Sequence, residues 1–175
     1  AIYMSGNLDA RQGSWIHAGT AGYWDDIIGG SGANAKPFTI AFWMRPEFNF
    51  DLSIRVFDFA GELHCLVTAL PAGSSAQFEE NFDFSWTRYG ITSNGTMKTS
   101  AKMMWGEWYH CIMTFDGGDP DGDVTQTSMR TYINGKKDCY YDTYLDNPRA
   151  FSGRSCYFGN SSGAPGGASG DGRNF

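Results

Sequence analysis

Glutamate is scarce in this sequence, with five in 175 residues, and no stretch of useful length carries apolar residues at the spacing of an amphipathic helix. That shortage argues against a helical bundle. No basic tract is present and the formal net charge is −6, which excludes nucleic acid as a partner, because phosphate recognition rests on clustered Lys and Arg. The longest apolar run is the stretch 40–44, "IAFWM", whereas a bilayer-spanning helix needs about 20 apolar residues, so membrane insertion is not expected. No Cys-x-x-Cys pair occurs, which removes a zinc ribbon. No signal peptide is recognisable, and the first residue is Ala1 rather than Met. Either processing has removed residues or the sequence begins inside a longer protein.

Aromatic residues and glycine are abundant. Aromatics make up 16% of the chain, beside 23 Gly, and 41% of residues are hydrophobic, enough to bury a core. Aromatic and β-branched runs broken by glycine favour strands and turns. "AIYMSG" reads as an opening strand. "FTIAFWMRP" (38–46) is apolar at nearly every position and predicts a central strand covered on both faces. "IRVFDFAG" and "LHCLVTAL" predict two strands separated by Gly61. "NFDFSWTRYG" alternates Phe82, Phe84 and Trp86 with Asp83, Ser85 and Thr87, one face buried and one wet. "TSNGT" follows, and Asn-Gly is a strong hairpin signal. In "WGEWYHCIMTFDG" (105–117), Tyr109, Cys111, Met113 and Phe115 share one face while His110, Ile112 and Thr114 share the other. "SMRTYINGKK" is a strand ending in a second Asn-Gly turn at Asn134-Gly135. "SCYFGNSSG" holds a last short strand, and 161–175 is a Gly/Ser-rich loop or the start of a continuation. Many short strands at fairly even spacing predict an all-β, antiparallel two-sheet sandwich or jelly roll with little or no helix, as one domain over 1–175. The glycine-rich stretch from Arg11 to Lys36 is expected to be an elaborated first loop.

The four cysteines, Cys65, Cys111, Cys139 and Cys156, allow three disulfide pairings, among which sequence does not choose. Two bridges would point to an oxidising compartment; the alternative is small buried hydrophobes, the reading favoured for Cys111.

Three of the segments, in order, resemble the laminin-G-like group of concanavalin A-like jelly rolls. "FTIAFWMRP" is similar to the family's Phe-Thr-Ile…Trp strand ending in Pro. "WYHCIMTFDG" is similar to its Trp-x-His strand closing in an aromatic-Asp-Gly turn, and "RTYINGKK" to its Tyr-Val/Ile-Asn-Gly-Lys hairpin. "CYFGN" and "AIYMSGN" fit a short late strand and the opening strand. The resemblance covers about Ala1 to Asn160. It implies a concanavalin A-like sandwich whose last strand, of the form Phe-x-Gly-x-Ile-Asp-x-Val, would begin where the sequence ends at Asn174-Phe175.

Relatives on this sandwich include glucanases, whose acid/base pair sits on one strand as Glu-x-Asp-x-Glu so that the carboxylates share a face. That string is absent. Glu79, Glu80 and Asp83 in "FEENFDF" cannot all share one face of a regular strand. "GNSSG" (159–163) formally matches a nucleophile elbow but is followed by "APGGASG", which cannot start the required helix. His17, His64 and His110 have no metal-ligand spacing, and no phosphate-binding or dinucleotide fingerprint occurs. The expectation is therefore no enzyme.

The run "FDGGDPDGDV" (115–124) places Asp116, Asp119, Asp121 and Asp123 in one loop. It is not an EF-hand: counting from Asp119, the required Gly at position 6 is Val124 and position 12 is Arg130. Alternating aspartates on a Gly/Pro loop still put several hard oxygens on one side, as calcium requires, and some relatives bind calcium at the loop rim. These four are the candidate metal ligands, and a plain solvated turn is the alternative. Tyr23, Trp24, Asp25 and Asp26 in "AGYWDD", with Trp105, are the candidate ligand-binding residues: an indole stacks on sugar C–H groups while carboxylates accept hydroxyl protons. The alternative is that Trp24 plugs the sandwich edge. Trp43 and Trp108 lie inside strand motifs and are assigned to structure. Asn94 and Asn160 begin glycosylation sequons. The leading expectation is a lectin-like domain at a cell, extracellular or virion surface, binding glycan or a surface protein through end loops. The rivals are a structural component of a virion or other assembly, contacting neighbouring subunits, and an inactive relative of a glucanase.

Overall fold

The computed structural model describes residues 16–46, 54–69, 81–99, 103–117, 129–138 and 146–159. In chain order these form β1 (Ile16–Thr20), α1 (Ala21–Ile28), a single 3-10 turn (Gly32–Asn34), β2 (Phe38–Met44), β3 (Ile54–Phe59), β4 (Leu63–Ala69), β5 (Asn81–Arg88), β6 (Gly90–Ser93), β7 (Gly95–Lys98), β8 (Met103–Met104), β9 (Tyr109–Phe115), β10 (Met129–Ile133), β11 (Lys136–Lys137), β12 (Asp146–Pro148) and β13 (Ser155–Phe158). The opening strand expected at "AIYMSG" lies outside the described residues.

Two antiparallel sheets face each other. The larger has the order β1-β13-β3-β4-β5-β7, with β8 also paired to β5; the smaller has the order β11-β10-β9-β2. Strand alternation supplies the core. From the larger sheet come Phe57, Phe59, Leu63, Cys65, Val67, Phe82, Phe84 and Trp86, and from the smaller Phe38, Met44, Cys111, Met113, Phe115 and Met129. Aromatic rings bridge the layers: Phe38 meets Trp86 edge-on at 6.1 Å, and Phe42 meets Phe57 and Phe84 at 6.2 Å. Pairs of this kind add about 0.5–1.5 kcal/mol each beyond the area they bury.

The hairpin Ile133–Asn134–Gly135–Lys136 forms as the Asn-Gly signal predicts. Ile133 pairs with Lys136, and both turn residues have positive φ, 50° and 78°, the geometry that matches strand twist. The other Asn-Gly differs. β6 turns away to pair with β12, while β7 pairs back onto β5. Asn94–Gly95 is therefore a corner rather than the tip of a hairpin between its flanking strands, and the Asn94 Oδ1 accepts a bond from the Gly90 N–H across it at 3.4 Å.

Two further expectations are corrected. β2 is not covered on both faces: Phe38 and Met44 are buried, while Thr39, Ala41 and Trp43 face solvent. The glycine-rich first connection is also not all loop, since it contains β1 and α1. α1 is only eight residues long and has no side-chain N-cap, so intrinsic propensity alone would not hold it. Tertiary contacts do. The Trp24 ring lies 4.7 Å from Phe59, its indole N–H donates to the Ala18 carbonyl at 2.5 Å, and the Ala21 N–H donates to the Arg154 carbonyl at 3.1 Å.

Candidate functional site

The helix places the sequence-derived binding candidates unequally. Tyr23 is 60% exposed and Asp26 is exposed. Trp24 and Asp25 are turned to the fold. Asp25 Oδ1 accepts bonds from the Gly30 N–H at 2.8 Å and the Phe151 N–H at 2.6 Å, tying the end of α1 to the connection between β12 and β13. Gly29 permits this closeness, because a Cβ there would land on the Asp25 carboxylate and backbone. Trp105, the remaining candidate, is half-buried with its ring 4.7 Å from Phe82. Of the four acidic-loop residues, Asp116 is exposed and paired with Arg130 at 3.0 Å; Asp119, Asp121 and Asp123 lie outside the described residues. Among the described residues no group of three His, Cys, Asp or Glu is placed to hold a metal ion.

Beside α1 lies a buried cation. Arg88 is 0% exposed, and its guanidinium donates to the carbonyls of Arg149 (2.7 Å), Gly30 (3.1 Å) and Glu62 (3.4 Å) while stacking on Phe151 at 4.6 Å. Burial pulls its pKa down to about 10, opposed by the Glu62 and Asp25 carboxylates. Its two terminal nitrogens donate to main-chain oxygens of three separate connections, while the buried Nε finds no partner among the described residues, so the bonds it does make serve architecture.

A different surface gathers exposed chemistry: the outward side of the smaller sheet. Trp43 on β2 and His110 on β9 are direct cross-strand partners, and their rings stack at 4.9 Å with planes 19° apart. Trp43 is 64% exposed. Trp108 precedes β9 by one residue, is 54% exposed, and falls on the His110 side of the pleat. Two indoles and an imidazole thus line one end of this face, although strand position had suggested a structural role for Trp43 and Trp108. Further along, Ala41, Ile112 and Tyr132 form the next row, and Thr39, Thr114 and Arg130 the row after it. An open groove at that far end is lined by Thr39, Thr114, Asp116, Arg130 and Tyr132. The Thr114 hydroxyl oxygen is itself buried and finds no hydrogen-bond partner among the described residues, so the donors that this end offers outward are those of Thr39, Arg130 and Tyr132. The face therefore offers flat apolar surfaces at one end and polar donors at the other, the composition that suits a sugar: C–H faces stack on rings and hydroxyls meet side-chain donors. The signal was present in "FTIAFWM", where Thr39 and Ala41 alternate with Phe38, Ile40, Phe42 and Met44 and so put Trp43 on the wet side.

The cysteines among the described residues play no part there. Cys65, Cys111 and Cys156 are free thiols and fully buried; Cys139 lies outside the described residues. Burial raises all three pKa values, Cys111 to about 12 and Cys156 to about 11, so these are unreactive core residues.

A profile of the concanavalin A-like lectin/glucanases superfamily matches residues 26–173. No curated protein and no solved structure matches the chain. The matched span takes in every strand described except β1, together with the exposed aromatic face, and the chain belongs to the concanavalin A-like lectin/glucanase superfamily.

Proposed function

We propose that this chain is a non-enzymatic recognition domain that binds carbohydrate on the outward face of its smaller sheet, displayed at a cell or particle surface. The observation that carries this reading is the exposed Trp43 stacked on His110, with Trp108 beside it. Large aromatic rings clustered in water bury little surface for the fold beyond their cross-strand pairing, and clustered exposed apolar surface marks interaction sites. The non-enzymatic part is supported by the sequence: glycoside hydrolysis needs two carboxylates working together, no Glu-x-Asp-x-Glu string occurs, and among the described residues Asp116 is engaged by Arg130. A glycan array with the wild-type chain and Trp43→Ala, each with and without EGTA, tests the reading. Binding lost in Trp43→Ala supports it, and equal binding by both proteins removes it. Loss in EGTA alone would bring the calcium proposal for the Asp116–Asp123 loop back into play.

A second reading, a structural subunit of a larger assembly, is favoured by Tyr23 and Ile27, which are 60% and 46% exposed one turn apart on α1. Self-association of the isolated chain on size exclusion, abolished by Ile27→Lys, would support it.

A further inference from the structure

The charge on the aromatic face runs against the charge of the chain. The formal net charge is −6, yet the outward side of the smaller sheet presents Arg130 on β10 and Lys137 on β11, where Lys137 pairs with Tyr132. Arg45 continues that side beyond β2, and Lys136 is exposed in the adjoining hairpin. The carboxylates at its margin among the described residues are Asp116, Glu107 and Asp138. Asp138 is buried, Glu107 lies outside the groove, and Asp116 takes a single guanidinium nitrogen of Arg130 at 3.0 Å. A guanidinium carries five N–H donors in a planar fork, so Arg130 keeps donors for a second anion while Asp116 holds it in place.

From these positions we infer that the face selects an acidic saccharide, rings stacked on Trp43 and Trp108 and a carboxylate or sulfate held by Arg130 and Lys137; this rests on the carbohydrate-binding reading above. Charge assistance makes such bonds shorter and stronger than those to a sugar hydroxyl, and a forked guanidinium matches two oxygens of one acid group. The geometry also sets a minimum length. Trp43 and Thr39 are four residues apart on β2, about 13 Å along an extended strand. Arg130 and Lys137 also lie two and three strands across from Trp43, at about 4.8 Å per strand, so one sugar ring does not reach both the stacking end and the cationic end, and the ligand is an oligosaccharide lying diagonally across the strands.

Titration calorimetry of the full chain tests this with three probes: tetragalacturonic acid, a chondroitin sulfate tetrasaccharide, and the neutral carboxyl-reduced form of the first. At least one acidic probe is expected to bind about tenfold or more tighter than the neutral one, with affinity falling as salt rises. Arg130→Gln and Lys137→Gln should each remove most of that preference. Lys137 is exposed, so its variant keeps the test independent of folding. Equal affinity for acidic and neutral probes, or a preference that survives both variants, overturns the inference and leaves the carbohydrate reading standing. Binding of none of the probes removes both.

Discussion

Trp86 on β5 donates its indole N–H to the Thr131 hydroxyl on β10 at 2.9 Å, and both side chains are buried. This polar contact joins the two sheets through the core, and it settles which way the largest core ring faces. Thr131→Val keeps shape but leaves the indole N–H unpaired, which should lower stability by about 1–3 kcal/mol. Thr131→Ser should keep most of it. Urea titrations of the two variants check the difference, and equal midpoints would show that the bond contributes nothing net.

His64 should make the fold acid-sensitive. It sits on β4 opposite Asp58, 6% exposed, with Tyr89 packed on its ring. Burial, reinforced by the nearby Arg55 cation and opposed by Asp58, lowers its pKa from 6.5 to about 4. Above pH 6.5 the imidazole is neutral in both folded and unfolded chains. Between 6.5 and 4 the unfolded chain takes up a proton that the folded one refuses, so stability falls with pH, by about 3 kcal/mol in all. His64→Gln should flatten the stability profile in that window relative to wild type.

Asp25 separates a structural role from a recognition role. Asp25→Ala removes the acceptor shared by the Gly30 and Phe151 amides and should cost about 2 kcal/mol. Asp25→Asn retains a carbonyl oxygen and should lose less. Thermal melts of the pair, read beside glycan binding, show whether this residue matters to the ligand beyond holding α1.

Gly29→Ala should be among the costlier single substitutions. The new Cβ would meet the Asp25 backbone as well as its carboxylate, and backbone cannot swing aside. A loss of about 2 kcal/mol or more is expected, measured by denaturant unfolding.

Trp43→Ala should behave in the opposite way. Its ring is mostly in water, so stability should stay within about 0.5 kcal/mol of wild type while carbohydrate binding is lost. A large fall in the melting temperature would instead mark Trp43 as part of the fold.

Much of the architecture was legible because strand alternation and turn chemistry are local. Phe82, Phe84 and Trp86 point inward as their spacing implies, His110, Ile112 and Thr114 take the other face of β9 from Cys111 and Met113, and Asn134–Gly135 closes its hairpin. Non-local effects were not legible. Asn94–Gly95 carries the same dipeptide, yet β6 leaves to pair with β12, some fifty residues onward in sequence, and no local rule reports that pairing. α1 escaped notice because its support comes from Phe59 and Arg154 rather than its own caps. The exposed aromatic face was missed for another reason. A strand rich in apolar residues reads as buried on both sides, and only the small and polar residues alternating with them, Thr39 and Ala41, show where water begins.

The three sequestered sulfhydryls have a practical corollary. With their protons held tightly and no path for a reagent, Cys65, Cys111 and Cys156 can be alkylated only when the layers part. In a Cys139→Ser background, the rate at which these sulfurs are capped becomes a clock for the opening of the sandwich, readable by mass spectrometry without any added label on the recognition surface.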